Sequence, residues 1–318
     1  MSPSDSLRLV GPMERALFLK SLGPMGDLSP SDIAVFAEHA RERHFRAGDV
    51  ITRAGEPVDC YHMIVEGQVQ ARGAEYVDGM ERGPRDPLGF LSMLARREDL
   101  EAVAAEPTVT LELEDDVLYD ILEDSFEIAV SLIRRLAGMT LEVRKQIPSG
   151  AYLAPLDGVL TPPGRPLDLV ERILLVRRPG SPFAGASLDA VTTLARNTPE
   201  VNYRQGQTIW KSGDRSDHAL ILIAGSVSCT TQWGFSRFRA GPGYPLGNLE
   251  RFSGDPRWYS AVAETDVVAL RTDTEAFLDL LEDHFDMAMS FIRSMAERVI
   301  GIREETAAAG RGTGEAAA

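Results

Sequence analysis

Cysteine is almost missing from this chain: Cys60 and Cys229 are the only two among 318 residues, and no CxxC or pairing pattern exists. From this pattern neither a disulfide framework nor a structural zinc is expected, no metal is expected, and a reducing, cytoplasmic setting follows. Lysine is scarce too. Lys20, Lys145 and Lys211 stand beside 30 arginines, a compositional bias, and none lies in the glycine-rich setting of a G-x-x-x-x-G-K-[ST] phosphate loop. The histidines His39, His44, His62, His218 and His284 form no HxH pair, which argues against a metal enzyme built on paired strands. Positive charge is outnumbered, 33 Lys plus Arg against 48 Asp plus Glu, for a net charge of −15. Residues 1–147 carry most of it, 16 basic against 27 acidic groups. Such a surface repels a phosphate backbone, and without a basic patch no nucleic-acid partner is expected. No apolar run is long enough to span a bilayer, and MSPSDSLRLV at the N-terminus lacks the plan of a signal peptide. There is no G-x-S-x-G nucleophile elbow. The acidic group Glu112, Glu114, Asp115, Asp116 lacks calcium-loop spacing and is explained by the start of a helix. Nothing converges on a reaction, so the expectation is a protein that is not an enzyme.

What the chain does have is an internal repeat. With 44% hydrophobic residues it can bury about two cores. FRAGDVITRAGEPVDCYHMIVEGQV (Phe45 to Val69) lies over YRQGQTIWKSGDRSDHALILIAGSV (Tyr203 to Val227) at a constant offset of 158. Three glycines coincide, Gly48 with Gly206, Gly55 with Gly213 and Gly67 with Gly225, and so do Pro87-Leu88-Gly89 and Pro245-Leu246-Gly247. After one inserted residue, Leu122 to Ala137 matches Leu281 to Ala296 in nine of sixteen positions. One domain has been duplicated.

Each copy reads as a helical lead-in (Arg15 to Leu22 and Asp32 to Ala40 in the first), short β-branched and aromatic runs broken by Gly and Asp turns, and a closing amphipathic helix. Many short strands with such turns indicate a mainly β, jelly-roll-like domain with flanking helices. The expected boundaries are a flexible N-terminus over 1–12, domain 1 over 13–146, a proline-rich linker over 147–170, domain 2 over 171–303 and a disordered tail over 304–318.

Helices around a small β-barrel with this glycine spacing resemble the cyclic-nucleotide-binding domain, and the resemblance covers roughly residues 13–146 and 171–300. The family includes the regulatory subunit of the cAMP-dependent kinase, also a tandem, and the catabolite-activator transcription factors. The resemblance implies a phosphate-binding cassette, a short helix whose N-terminal amides hold a cyclic phosphate. It also implies a Glu after the cassette glycine for the ribose and a later Arg for the phosphate.

In repeat 1 the cassette is Gly89-Phe90-Leu91-Ser92, followed by Asp99. Phe90 stands where the Glu belongs and Asp99 where the Arg belongs, so this pocket is expected to be degenerate, with Phe90 closing it. Repeat 2 reads Gly247-Asn248-Leu249, then Pro256-Arg257-Trp258-Tyr259-Ser260. The resemblance makes Gly247, Asn248, Leu249, Arg257, Trp258 and Ser260 its candidate ligand residues. Asn248 replaces the Glu, and Trp258 could stack on a base or plug the pocket. Arg257 has a structural reading as well, an ion pair with Asp255 or Glu250. Two functions stand side by side. One is a regulatory, signalling protein whose second domain binds a cyclic nucleotide (cAMP or cGMP) or another phosphate ligand and relays it to a protein partner. The other is a ligand-free interaction module with both pockets degenerate. No cofactor is implied. The terminal helices could self-associate, and a helix-turn-helix is not expected because the chain ends after its second repeat.

Overall fold

A computed structural model describes residues 11–22, 28–144, 150, 152–153, 164–178, 181–231, 237–247 and 249–315. It divides into two units, Met1–Leu132 with Ala296–Ala318, and Ile133–Met295.

In the first unit α1 (Pro12–Lys20) and α2 (Pro30–His39) form the lead-in. Ser29 starts α2 by accepting from the Asp32 amide while Asp32 reaches back to the Ser29 amide, with Pro30 in the first turn, where its missing N–H costs nothing. The strands are β1 (Arg41–Phe45), β2 (Val50–Thr52), β3 (Cys60–Glu66), β4 (Val69–Gly73), β5 (Tyr76–Arg82) and β6 (Pro87–Leu88). A short helix α3 (Phe90–Leu94) precedes β7 (Glu101–Ala104) and β8 (Thr108–Glu114), and α4 (Asp115–Asp124) and α5 (Phe126–Arg144) follow, the part of α5 from Ile133 belonging to the second unit. Two four-stranded sheets result, β1-β8-β3-β6 and β2-β7-β4-β5. Alternation sends Leu111 and Leu113 of β8 and Val69 and Ala71 of β4 into the core.

After the end of α5 the second unit continues with β9 (Tyr152–Leu153), α6 (Leu169–Val176) and α7 (Leu188–Asn197). The strands that follow are β10 (Glu200–Tyr203), β11 (Thr208–Trp210), β12 (His218–Ala224), β13 (Val227–Thr231), β14 (Arg237–Ala240) and β15 (Pro245–Leu246). Then come α8 (Leu249–Ser253), β16 (Tyr259–Ala263), β17 (Val267–Asp273), α9 (Thr274–Asp283) and α10 (Phe285–Glu315), whose residues from Ala296 onward belong to the first unit. Its sheets are β10-β17-β12-β15 and β11-β16-β13-β14-β9. Every strand order of the first unit returns with its label raised by nine, apart from the added β9. The jelly-roll-like β fold with flanking helices is therefore present twice. The core of the second copy holds Trp210, Leu222, Phe238, Tyr259 and Ala269.

Two parts of the sequence-derived outline change. The segment expected as a disordered tail continues α10 through Glu315, since Ala307, Ala308 and Ala309 are strong helix formers and outweigh the scattered glycines. Most of the proline-rich linker lies outside the described residues, as does most of the expected flexible N-terminus, but Tyr152–Leu153 adds β9 to a sheet in parallel with β14.

The matched glycines do different work. Gly67 has φ +91°, and a Cβ there would lie 2.6 Å from the Pro107 carbonyl oxygen and 2.5 Å from Thr108 Oγ1. Gly225, at φ +83°, would meet the Asp266 carbonyl in the same way. Gly48 has φ +87° but nothing within 4 Å. Gly48→Ala should thus cost only the left-handed strain, about 1–2 kcal/mol. Gly67→Ala adds a collision with backbone and should cost more than about 3 kcal/mol. Urea unfolding of the two variants checks the order, and equal losses would show that the close approach is not what requires Gly67.

Candidate ligand-binding sites

The first short helix begins with a sharp reversal. β6 ends at Leu88, Gly89 takes φ +80°, and α3 starts at Phe90. Amides at the start of a helix have no partner within it. Here a carboxylate from the same chain meets them. Glu75, in the turn between β4 and β5, is buried at 6% exposure. Its Oε2 accepts from the Ser92 amide at 2.9 Å and the Ser92 hydroxyl at 2.7 Å. Its Oε1 accepts from the Leu91 amide at 3.4 Å and the Tyr76 hydroxyl at 3.1 Å. The Tyr76 oxygen in turn accepts from the Gly89 amide at 2.9 Å. Burial, with the Glu75 charge beside it, pushes the Tyr76 phenol well above its usual range.

Asp99 holds the turn that delivers Glu75. Its Oδ2 accepts from the Ala74 amide at 2.6 Å and its Oδ1 from Arg97 Nε at 2.8 Å. The Arg97 hydrogen bond keeps the Asp99 carboxyl below the ordinary carboxylate range. Phe90 is half-buried with its ring edge-on to Tyr61, centroids 5.1 Å apart, and Leu91 is buried. The group on the amides is therefore Glu75, which the sequence did not single out, while the Phe90 ring packs on β3.

The second helix is built on the same turn, with Gly247 at φ +76° and Leu249 opening α8. Asn248 lies outside the described residues. Arg257 is 1% exposed. One guanidinium nitrogen donates to the Gly247 carbonyl at 2.5 Å, the other to the His218 carbonyl. The Arg257 guanidinium carbon lies 4.1 Å from the centre of the Trp210 ring, and its Nη1 is 3.9 Å from Glu250 Oε2. A Cβ at Gly247 would collide with the same guanidinium, so the glycine makes room for the arginine.

The Arg257 backbone is fixed as well: its N–H donates to the Asp214 carbonyl at 2.9 Å and its carbonyl accepts from the Gly213 amide at 2.8 Å. Of the two acidic partners weighed for Arg257, Glu250 is the one beside it. Asp255 instead accepts from the Ser253 hydroxyl at 3.1 Å. Trp258 is half-buried and stacks on Phe238, centroids 5.7 Å apart, with Tyr259 edge-on at 4.9 Å. Ser260 Oγ accepts from the Ser212 amide at 2.9 Å. Leu249 is buried.

A family described as cyclic nucleotide-binding domain matches residues 42–125 and again 200–284, together just over half the chain. The chain belongs to the cyclic nucleotide-binding domain family. It is similar to the CRP-like cAMP-activated global transcriptional regulator of Mycobacterium tuberculosis, 26% identical over 121 residues, 37% of this chain and 54% of that one. The chain thus spans about half the length of that curated relative. It also resembles Glutaminase 2 of Bradyrhizobium diazoefficiens, 26% identical over 115 residues, 36% of this chain and 18% of the other.

Among solved structures, the regulatory domain of Toxoplasma gondii PKA with cAMP shares 17% identity over 86% of this chain and 94% of its own, TM-score 0.33. The regulatory subunit of a cAMP-independent protein kinase A from Trypanosoma brucei shares 16% over 92% and 88%, TM-score 0.34. Both cyclic nucleotide-binding domains of the present chain keep the glycine turn and short helix of the cassette. What differs is the chemistry brought to that helix, a carboxylate in the first domain and an inward-turned arginine in the second. No helix among the described residues is long and apolar enough to cross a membrane.

Proposed function

We propose that this tandem is a non-enzymatic regulatory protein that acts through protein contacts, with both cyclic-nucleotide-type pockets filled by its own charged side chains. The observation that carries the reading is Glu75. Its carboxylate takes the cassette amides that a cyclic phosphate would need, and no ligand can use those donors until Glu75 leaves. Asp99 supports it, since the residue that would repel a phosphate is employed in anchoring the Glu75 turn. In the second domain Arg257 gives one Nη N–H to each of two main-chain carbonyls and stacks on Trp210, so a ligand would have to draw it out of the core. On this reading the partner is a protein, the terminal helices are a candidate surface for it or for a second copy, and the protein works in the cytoplasm.

A second reading has one observation in its favour. Arg257 Nε–H is buried with no hydrogen-bond partner, a donor that a ligand oxygen could take. Under it Gly247, Asn248, Leu249, Arg257, Trp258 and Ser260 line a site for a cyclic nucleotide. Calorimetric titration with cAMP, cGMP and cyclic dinucleotides separates the two. The expected result is no heat up to about 1 mM ligand, where binding is worth only about 4 kcal/mol. Micromolar binding that disappears in Arg257→Ala would overturn the ligand-free reading and establish the second domain as a sensor.

A further inference from the structure

The side chains of Cys60, His62 and Glu112 converge on one face of the sheet formed by β1, β8, β3 and β6. His62 on β3 is paired in register with Glu112 on β8, and Cys60 lies two residues before His62 on the same face. Cys60 Sγ is 3.6 Å from His62 Nε2, and His62 Nε2 is 4.0 Å from Glu112 Oε2. One ligand-type atom from each residue lies within 4.8 Å of the other two. A metal about 2.3 Å from sulfur and about 2.0 Å from nitrogen, at a tetrahedral angle, holds those two atoms about 3.6 Å apart.

The surroundings orient the three groups. His62 is buried at 2% exposure, and its other ring nitrogen, Nδ1, lies 3.0 Å from Thr110 Oγ1. With Nδ1–H donated to Thr110, Nε2 presents its lone pair to Cys60 and Glu112, the arrangement that metal-ligating histidines use. Arg43 takes Glu112 Oε1 at 2.7 Å, fixing the carboxylate with Oε2 towards His62. Cys60 is half-buried and borders a cleft of about 400 Å³ lined also by Val58, Asp59 and Thr52, through which an ion and a fourth ligand can enter.

The fold does not need this set. In the second domain the positions of His62 and Glu112 are held by the register pair Leu220 and Arg271, and those of Cys60 and Glu114 by His218 and Asp273.

We propose that Cys60, His62 and Glu112 form a site for one divalent zinc ion, with its fourth position open to the cleft. Thiolate, imidazole and carboxylate together select zinc over calcium or magnesium, which take oxygen ligands. On binding, the Cys60 S–H bond breaks, its proton passes to solvent and the sulfur lone pair goes to the metal. No oxidant or reductant is involved. The spacing of the three residues in sequence conceals the site, because Glu112 joins only through strand register.

The test uses the full chain after chelation, titrated with zinc and, for a spectroscopic signature, with cobalt(II). The expected result is one ion per chain and a thiolate-to-cobalt charge-transfer band. Cys60→Ser should abolish the band and Cys229→Ala should keep it. Glu112→Gln and Thr110→Val, which leave the Cys60 thiol in place, should weaken zinc binding about 10–100-fold. Should Cys60→Ser fold poorly, protection of Cys60 from alkylation by added zinc gives the same information on the unaltered chain. Absence of a bound ion, or zinc binding unchanged in Cys60→Ser and Glu112→Gln, would overturn the proposal.

Discussion

Replacing Glu75 by alanine is expected to destabilise the first domain by about 3–5 kcal/mol, and inorganic phosphate or sulfate is expected to recover part of the loss. The carboxylate accepts from two amides and two hydroxyls at 2.7–3.4 Å, in a place where bulk water does not reach them. Each buried donor left without an acceptor costs about 1–3 kcal/mol. Entry of one or two waters into the vacated space would offset some of that, which holds the total below the simple sum. Glu75→Gln keeps an oxygen acceptor and should cost only about 1–2 kcal/mol, since it loses the charge assistance but not every bond.

The informative part is the anion dependence. If Glu75 acts as the chain's own substitute for a bound phosphate, the variant exposes helix-start amides that an anion can occupy, and binding to the folded state alone raises its stability in proportion to ln(1 + [anion]/Kd). Thermal unfolding of the native and variant chains across a phosphate series reads this directly. A variant stabilised by phosphate no more than the native chain would show that the amides are not an anion site, and an unchanged melting temperature would show that the Glu75 network is not structural.

The duplication, the two β domains and the cassette positions were legible in the sequence because they rest on local chemistry. Glycines with positive φ and paired Pro-Leu-Gly turns recur at fixed spacing wherever the backbone makes the same turn. The occupant of the first cassette was not legible. Glu75 sits in an ordinary Gly-Ala-Glu-Tyr hairpin turn, and only the pairing of β4 with β5 and the Asp99 anchor bring it under α3. At the same offset of 158, position 233 in the second domain is Trp, so the repeat itself gives no hint of a carboxylate there. Asp99 stands in the sequence where the resemblance puts the phosphate arginine, whereas its carboxylate is turned to the backbone of the hairpin. Arg257 shows the same limit, because the Pro-Arg pattern announces a phosphate ligand equally well whether the guanidinium faces a pocket or the Gly247 and His218 carbonyls.

Arg257→Ala is expected to cost about 3–5 kcal/mol in the absence of any ligand, the usual penalty for removing one member of a buried charged pair. Both side chains are fully enclosed, with Arg257 at 0% and Glu250 at 2% exposure, so solvent screens little of their interaction. The substitution also leaves the Gly247 and His218 carbonyls without their donor and opens a space beside the Trp210 ring. An apolar exchange at both positions, Arg257→Met with Glu250→Leu, should recover much of the loss, because it removes two desolvated charges together. A double-mutant cycle in urea measures the coupling, expected at about 1–3 kcal/mol for residues in one buried network. If Arg257 were held only for a ligand, the single variant would stay within about 0.5 kcal/mol of the native chain, as substitutions away from packed or paired groups do. That outcome would return the arginine to the pocket and, with it, the second domain to a binding role. A large loss without ligand, joined to silent titrations, would place the second cassette with the first, as a domain that keeps the family's backbone and satisfies it from within.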